Sequence, residues 1–457
     1  MSALPPDRPL PPKPASRPGR VSLWRYLRLF RADILSAQPE RLYRAWMAEF
    51  RTPFFRSYLV NDPALLDLVL KERPRDFPKS DRIGAGLRPL LGESVFLTNG
   101  ATWERQRRII DPAFEGGRLR NTYPAIRGAA AAAVGRLASR TGRPVEIEAE
   151  TSHAAADVIF RTLFSRTIED RVAAETFAAF RDHQRGQPIL NLAAFLPLRG
   201  LPRLHSRRTR ATARRIRALI AAMTEARAAE IAAGTAPDDL ATKIMTTRDP
   251  VTGRTFAPAE MVDQVAIFFL AGHETSASAL GWALWLLATH PEWQDRVAAE
   301  APDLTDQFAS LSRLRITRDV FRETLRLYPP VPMMVRQTAR AETFRGRAAP
   351  PGAQVVLSPW HLHRHERLWD DPDAFDPGRW ADPASAESRR RAYMPFSAGP
   401  RVCTGAGFAM AEGVILLSAI VGAYRIAPAP GPPPRPVAHL TVRSADGIRL
   451  VLTPRQP

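Results

Sequence analysis

Residues 396–405 read Phe396-Ser397-Ala398-Gly399-Pro400-Arg401-Val402-Cys403-Thr404-Gly405 and contain the only cysteine of the chain. The two glycines and the proline predict a tight loop, because glycine adopts positive φ and proline cannot continue a helix. The apolar run from Phe408 to Leu417 predicts a buried helix directly afterwards. Cys403 therefore stands where a loop enters a helix, and there the helix N-terminus, the loop amides and Arg401 all favour a thiolate.

A single cysteine excludes an intramolecular disulfide and any Cys-x-x-Cys zinc or iron–sulfur site. It leaves a buried structural thiol, a nucleophile or a single metal ligand. The aromatic residue, the glycines and the arginine spaced around Cys403 favour the metal ligand over a structural thiol in a helix cap.

The pattern Phe-x-x-Gly-x-Arg-x-Cys-x-Gly resembles the heme-binding loop of the cytochrome P450 family, and this chain fills every position of it. The resemblance implies that Cys403 binds the iron of heme b (iron protoporphyrin IX). It also implies that Phe396, Gly399, Arg401 and Gly405 form the cofactor-binding loop around that iron. An anionic sulfur on heme iron favours cleavage of the O–O bond.

A second motif, Ala271-Gly272-His273-Glu274-Thr275, lies in the middle of a long apolar segment. Gly272 allows another group to approach the helix backbone closely, and Thr275 can bond back to a helix carbonyl. Burying the carboxylate of Glu274 is costly unless it is paired or functional. The residues alone are equally compatible with a helix that carries a polar stripe. The family resemblance implies oxygen binding beside Ala271 and Gly272 and proton delivery by Glu274 and Thr275 as the catalytic pair.

Trp103 and Arg107 are four residues apart and would share one face of a helix. Alone, this pair is typical of a surface helix, but it resembles the Trp-x-x-x-Arg pair that contacts a heme propionate in the family. Many soluble bacterial members have histidine where this chain has Trp103, so the chain resembles the fatty-acid-hydroxylase-like and microsomal-like branches more closely. Arg336 resembles a further propionate-binding arginine.

Glu323 and Arg326 can pair on one helix, and Arg379 follows in the segment Pro372–Trp380. The resemblance implies a buried, structural Glu323–Arg326–Arg379 network that supports the cysteine loop. Gly378 departs from the polar residue that the family often has there.

Three histidines, His361, His363 and His365, alternate, and on a strand they would share one face as metal ligands do. No cysteine or carboxylate pattern accompanies them, so a second metal site is not expected.

Helical periodicity dominates the chain, so the predicted fold class is mainly α with small β-sheets. The resemblance specifies the cytochrome P450 fold, a helical prism around heme. Helices are predicted at 124–139, 171–184, 207–233, Glu260–His290 and Ile316–Tyr328, and a strand at Gln354–Leu357. A hairpin is predicted from Leu440–Arg443 and Ile448–Leu452, which flank Asp446-Gly447.

Residues 1–20 are crowded with proline and predict an extended or disordered tail, which leaves 21–457 as a single heme domain. The formal net charge is +19, but the arginines are spread along the chain and no basic cluster stands out. Nucleic-acid binding is therefore not expected, whereas docking of an acidic protein partner is.

No secretory signal and no apolar stretch of transmembrane length are recognised, so a cytoplasmic location is expected. The candidates Val265–Ala288 and Val414–Tyr424 are interrupted or too short. Ser22–Leu35 predicts an amphipathic helix with arginines on one side. We expect it to pack on its own protein, with peripheral contact to a membrane as the alternative.

The resemblance implies a monooxygenase that inserts one atom of O2 into a hydrophobic small molecule, such as a fatty acid, terpenoid or other lipid. No dinucleotide or flavin motif is recognised, so electrons from NAD(P)H are expected to arrive through a ferredoxin-type donor and its reductase, and the protein is expected to be a monomer. The substrate pocket is expected to be lined by the loop after Pro78, the 185–205 region, Phe268, Ala271 and Met333–Val335.

Three alternatives remain open at the level of sequence. They are a heme-thiolate peroxygenase or isomerase that takes no external electrons, a heme sensor or carrier, and a basic scaffold that binds nucleic acid. The Glu274-Thr275 pair favours oxygen activation over the first two.

Overall fold

Helices carry most of the structure, a computed structural model that describes residues 10–51, 56–115, 117–186 and 205–456. The helices are α1 (Leu23–Ala32), α2 (Pro63–Asp67), α3 (Asp81–Leu91), α4 (Gly100–Ile110), α5 (Gly117–Ala138), α6 (Ile147–Phe164), α7 (Arg171–Gly186), α8 (Arg207–Ala232), α9 (Leu240–Thr246), α10 (Pro258–Thr289), α11 (Pro291–Glu300), α12 (Arg315–Leu327), α13 (Pro359–Leu362), α14 (Ala386–Ala392) and α15 (Ala406–Ala423). The helical segments predicted from periodicity all fall within these bounds to within a few residues, apart from 124–139, whose helix α5 begins seven residues earlier.

The strands are short and form small sheets at the edges of the helical body. They are β1 (Met47–Arg51), β2 (Arg56–Val60), β3 (Pro144–Glu146), β4 (Met334–Gln337), β5 (Glu342–Phe344), β6 (Arg347–Ala349), β7 (Gln354–Leu357), β8 (Tyr424–Pro428), β9 (Pro436–Ala438), β10 (Val442–Ser444) and β11 (Arg449–Pro454). The largest sheet has the order β1-β2-β7-β4, in which β2 and β7 are parallel and the other pairs antiparallel. The predicted strand Gln354–Leu357 is confirmed as β7.

The predicted hairpin near the C-terminus is wrong. β10 pairs with β9, whereas β11 pairs with β3 and β8, so the two strands belong to different sheets. Gly447 does adopt a positive φ of 77°, but the turn it makes packs against Glu146 of β3 instead of joining two paired strands. Partners distant in sequence therefore outweigh the local turn signal.

Helix α10 runs through the middle of the protein and packs against α6, α8, α12 and α15. Pro258 occupies its first turn, where a missing N–H costs nothing, and the Glu260 carboxylate accepts from the amide of Ala257 at 2.8 Å. Gly272 lies where α10 and α6 are closest, and a Cβ there would collide with the side chain of Ile159. This close packing fixes the middle turn of α10, which carries the Glu274-Thr275 pair.

The start of the chain is extended, as expected, but residues 10–17 are not a detached tail. The hydroxyl of Tyr328 donates to the carbonyl of Pro12 at 2.8 Å, Lys13 forms an ion pair with Asp373, and Pro14 is buried. Prolines without amide protons can lie against the protein without leaving donors unpaired. The rest of the expected tail, residues 1–9, lies outside the described residues.

Within the part of the chain described, helix α15 is long and apolar enough to cross a membrane, contrary to the expectation that no segment reaches that length. More than half of it, 56%, is buried inside the protein, as in a core helix. Helix α1 has no buried residue, and Trp24 is 85% exposed, while Phe30 packs against the core. The expected packing of α1 on the protein is therefore only partial.

Candidate active site

The cysteine loop is held by its own backbone. The amide of Cys403 donates to the carbonyl of Phe396 at 2.9 Å, and α15 begins at Ala406, three residues later. The exposed surface of Cys403 lines a cavity. Burial raises the pKa of the thiol. A hydrogen bond from the backbone amide of Gly405 and the charge of Arg107 both act to lower it. The cation expected to favour the thiolate was Arg401, so that expectation is corrected to Arg107.

Two glycines that were expected to touch the cofactor instead pack closely against neighbouring parts of the protein. Gly399 has a φ of 67°, and a Cβ there would collide with the carbonyl of Leu70. Gly272 faces Ile159 of α6, as described above. Neither glycine lines the cavity, because both are turned towards neighbouring backbone or side chains. Gly405 does not line it either, but its amide reaches the sulfur.

The cavity beneath α10 has a volume of about 2000 Å³. Pockets for a single drug-sized ligand are usually ~300–1,000 Å³, so this one has room for a large group and a second molecule. Its wall contains most of the residues that the sequence singled out, namely Trp103, Arg107, Ala271, Glu274, Thr275, Arg336, Phe396, Arg401 and Cys403. The expected pocket segments Met333–Val335 and Phe268 also line it, whereas residues 187–204 lie outside the described residues.

Four cations gather at one side of this cavity around the indole of Trp103. The Nζ of Lys79 lies 5.6 Å from the ring centroid, and the guanidinium carbons of Arg107 and Arg401 lie at 5.8 and 5.5 Å. Arg336 is close enough to lower the pKa of Lys79. Sequence reasoning missed Lys79, because nothing in its local sequence places it beside Trp103.

Of the four cations, Arg107 has an acidic partner, Asp111, at 2.8 Å. No acidic side chain among the described residues forms an ion pair with Lys79, Arg336 or Arg401, and the Nε atoms of both arginines are buried without a hydrogen-bond partner. Burial, followed by the charges of Arg336, Arg401 and Arg107, lowers the pKa of Lys79 to about 6. Burial and Arg401 lower that of Arg336 to about 10.

Heme b fits these residues. Its two propionates would supply the missing negative charges at the cluster, since an opposite charge restores the charged form of a buried cation. Its iron would take the Cys403 sulfur that faces the same cavity. Phe396 lines the cavity beside the cysteine loop.

The two members of the predicted acid–alcohol pair have different hydrogen-bond partners. Thr275 and Ala271 turn towards the cavity, and the Thr275 hydroxyl donates to the Ala271 carbonyl at 2.5 Å, the back-bond expected from the sequence. Glu274 is only 8% exposed and accepts from Thr441 at 3.2 Å and from Arg443. Sequence reasoning missed both partners of Glu274, Arg443 on β10 and Thr441 just before it, which lie about 170 residues away.

A second buried acid, Glu412 on α15, also lies near the pair. The hydroxyl of Ser276 donates to its carboxyl group at 2.6 Å. Burial raises the pKa of Glu412 to about 8, against the opposing effect of that bond, so the acid is protonated at neutral pH. Its position nine residues after Cys403 offered no signal of this contact in the sequence.

The expected Glu323–Arg326–Arg379 network is present and buried. Arg326 contacts both carboxylate oxygens of Glu323, at 2.8 and 3.0 Å, and Arg379 lies at 2.9 Å. Although burial acts to raise the pKa of Glu323, the charges of Arg326 and Arg379 outweigh it and the pKa is lowered. Such a pair is costly to bury and very costly to break.

His363 joins this network to the cysteine loop. Its Nδ1 lies 3.1 Å from the carbonyl of Arg326, and its Nε2 accepts from the amide of Met394 at 2.9 Å. Burial lowers its pKa to about 3, so the ring is neutral and can accept that bond. His361, His363 and His365 do not share a strand face, because α13 and the turn after it occupy this stretch.

Comparison with known proteins agrees with this geometry. Residues 45–451 match the cytochrome P450 family. Cyclooctat-9-en-7-ol 5-monooxygenase of Streptomyces melanosporofaciens is 33% identical over 442 residues, which cover 94% of this chain and 93% of that protein. Pentalenene oxygenase of Streptomyces avermitilis is 31% identical, and the match covers 88% of each.

Among solved structures, the heme domain of cytochrome P450DA covers 98% of this chain and 99% of its own, with a TM-score of 0.79 at 23% identity. This likeness confirms the expected fold, and the match to the family extends over nearly the whole chain. The chain therefore belongs to the cytochrome P450 family and is a heme-thiolate monooxygenase with heme b as its cofactor.

Proposed function

We propose that this monooxygenase inserts one oxygen atom of O2 into a hydrophobic substrate, with a terpenoid-like hydrocarbon preferred over a fatty acid. The wall of the cavity carries the proposal: above the cysteine it is mostly apolar. The apolar lining includes Leu87, Leu90, Val95, Phe268, Ala279, Val331, Met333 and Val335. Burial of apolar surface would supply most of the affinity for such a molecule.

The names of the relatives support the terpenoid preference. One relative is named for oxidation of cyclooctat-9-en-7-ol and another for oxygenation of pentalenene. The feature that favours a fatty acid is Trp103, through its likeness to the fatty-acid-hydroxylase-like branch. The apolar lining is compatible with both, so a comparison of the two ligand classes must decide.

The residues proposed for cofactor binding divide into two groups. Cys403 would bind the iron, while Lys79, Arg107, Arg336 and Arg401 would hold the propionates beside Trp103. When bound, heme with a thiolate ligand supplies the oxygen-activating chemistry, and the protein supplies position and charge.

Thr275 and Glu274 are proposed to hold and deliver the protons that oxygen chemistry in the cavity would consume. Thr275 faces the cavity, and its hydroxyl donates a hydrogen bond to the Ala271 carbonyl. This hydrogen bond would have to break before the hydroxyl could donate to a molecule in the cavity. Glu274 stands one residue away in the same wall, largely buried, and can resupply the proton.

P450 enzymes need a source of electrons, and we propose a ferredoxin-type donor with its own NAD(P)H-dependent reductase. The net charge of +19 favours an acidic donor, because complementary charge steers encounter. A monomeric state and a cytoplasmic location remain predictions.

The reduced carbon monoxide difference spectrum tests the central assignment. Wild-type protein should give the thiolate-type band, and Cys403→His should lose it. A thiolate-type band in Cys403→His would overturn the assignment of Cys403. Titration with terpenes and with fatty acids, followed by the spin-state shift of the heme, then tests the substrate class. A spin shift with fatty acids alone would reverse the terpenoid preference.

A further inference from the structure

The carboxylate of Glu274 is tied to the C-terminal sheet rather than to its neighbour Thr275. Arg443 forms an ion pair with Oε1 of Glu274, and the Thr441 hydroxyl donates to the same oxygen at 3.2 Å. The Thr275 hydroxyl is occupied with the carbonyl of Ala271. Both members of the proposed proton-delivery pair are thus engaged with other partners in this arrangement.

Arg443 connects this buried acid to the more exposed wall of the cavity. The side chain of Arg443 is 42% exposed, whereas that of Glu274 is 9% exposed. Among the described residues both hydrogen bonds to the Glu274 carboxylate go to Oε1. This one oxygen is therefore anchored by two side chains.

The strand that carries Arg443 is itself fixed to α10 and its surroundings. The amide of Val442 donates to the carbonyl of Pro330 at 3.0 Å, and the hydroxyl of Ser278 on α10 donates to the carbonyl of Val442. The amide of Ser444 donates to Glu148 at 2.9 Å. Anchors on both sides of Arg443 make its position a property of the fold instead of a chance surface contact.

Other charged groups near Arg443 do not compete for it. Glu148 is its nearest further carboxyl, and it accepts the backbone amide of Ser444 while Arg443 only lowers its pKa at longer range. Burial, and after it the charge of Arg443, lowers the pKa of both His273 and His439, so neither ring is favoured as a rival cation for Glu274. The ion-pair partner of Arg443 is Glu274.

We propose that Arg443, supported by Thr441, is a positioning residue that holds the Glu274 carboxylate in one orientation next to Thr275, so that protons reach the cavity through this pair. The proposal rests on the proposed roles of Glu274 and Thr275. Without Arg443, the carboxylate loses its counter-charge and its anchor, and the pair can no longer accept a proton from solvent and pass it on in order.

The test uses the heme-loaded enzyme with a substrate found in the spin-shift titration. Arg443→Gln should keep the thiolate-type carbon monoxide band and the spin shift, but yield about tenfold less product per NADPH consumed, as expected for loss of one charge-assisted bond. Its solvent deuterium isotope effect on turnover should rise. Arg443→Lys should restore coupling, because a charge remains within reach of Glu274.

The matched control is Arg345→Gln. Arg345 has a similar exposure, 47%, and also pairs with a carboxylate, Asp62, but it neither lines the cavity nor touches Glu274. This variant should leave coupling and the isotope effect unchanged. Any general effect of losing one part-exposed arginine and its ion pair would appear in both variants.

A double variant and a spectroscopic measurement complete the design. In a Glu274→Gln background, Arg443→Gln should add no further uncoupling, and infrared difference spectra should show a shifted carboxylate band in Arg443→Gln that is missing in the double variant. Coupling of Arg443→Gln equal to wild type, or additive losses in the double variant, would overturn the proposal. If Arg443→Gln fails to retain heme, Thr441→Val applies the same criteria by removing the second anchor. A wild-type protein without a thiolate-type band would instead overturn the proposed function, which keeps the two failures distinct.

Discussion

At the scale of single residues, Lys79 shows how a cofactor and its protein depend on each other. Without an anion nearby, burial and three arginines lower its pKa to about 6. A propionate placed beside it would raise that pKa again, because an opposite charge favours the protonated ammonium. Heme retention is therefore linked to the protonation of Lys79.

Lys79→Gln should release heme about tenfold faster than wild type, since one charge-assisted bond is lost. Between pH 6 and 9, wild-type retention should weaken as the pH rises, because the heme-free lysine gives up its proton above its own pKa of about 6. Much of this pH dependence should be missing in the variant. Transfer of heme to apomyoglobin measures the rate, and Lys71→Gln, an exposed lysine paired with Asp67, is the control. Equal rates in wild type and Lys79→Gln would contradict the proposed contact.

Thr275→Ala should divert electrons from product to peroxide or water, because its hydroxyl lies at the cavity wall and is the more exposed member of the pair. General acid–base groups contribute roughly 10²–10⁴-fold, so coupling should fall by about tenfold or more. Thr289→Ala is the matched control, since Thr289 bonds back to a carbonyl of the same helix but lies at its far end. Product formed per NADPH is the measurement. Unchanged coupling in Thr275→Ala would remove it from proton delivery.

At the scale of elements, the sequence predicts those helices and loops that depend on interactions between residues close together in the chain. Helical periodicity places α10 and α12 closely, and the glycines and proline around Cys403 predict its loop. The pairing of β10 and β11 is not predictable in the same way, because β3 and β9 are the partners that decide it. Lys79, Arg443 and Glu412 were missed for a related reason: each acts through residues distant in sequence. Motifs therefore identify a site, whereas long-range contacts complete it.

His363 is the element-scale link between the α12 network and the cysteine loop. His363→Phe keeps the volume but leaves the amide of Met394 and the carbonyl of Arg326 without their partner. We expect a loss of about 1–3 kcal/mol in unfolding free energy and faster heme release. Urea unfolding followed by the heme absorbance measures both effects, with His439→Phe, outside the network, as the comparison. Heme release at the wild-type rate in His363→Phe would mean that the loop does not depend on this bridge.

At the scale of the whole molecule, buried histidines make the protein sensitive to acid. Burial lowers the pKa of five of them to about 3 or 4, namely His183, His273, His361, His363 and His365. In the unfolded chain a histidine has a pKa of about 6.5. Two buried acids, Glu148 and Glu412, act in the opposite direction because their pKa values are raised to about 7 and 8.

The unfolding free energy should fall as the pH is lowered from 6.5 to 4.5. In this range the unfolded chain binds protons that the five native histidines refuse, and this outweighs the two protons that the native acids retain. The slope of unfolding free energy against pH should approach about 4 kcal/mol per pH unit, since each proton bound on unfolding contributes about 1.4 kcal/mol per pH unit. Urea midpoints across this range measure it, and a flat profile would contradict the assigned burial of the histidines.

The largest sheet can be completed only late in the synthesis of the chain. Strand β2 pairs with β7, which begins at Gln354. Lys13 pairs with Asp373, which is synthesised 360 residues later. At ~5–20 residues per second, roughly 20 to 70 s of translation separate Lys13 from its partner. For most of that interval, from the synthesis of β2 until that of β7, the edge of β2 that β7 will cover has no strand beside it, and an unpaired edge invites association with other chains. Newly made protein is thus most vulnerable before its last hundred residues emerge, and slower synthesis lengthens that exposure.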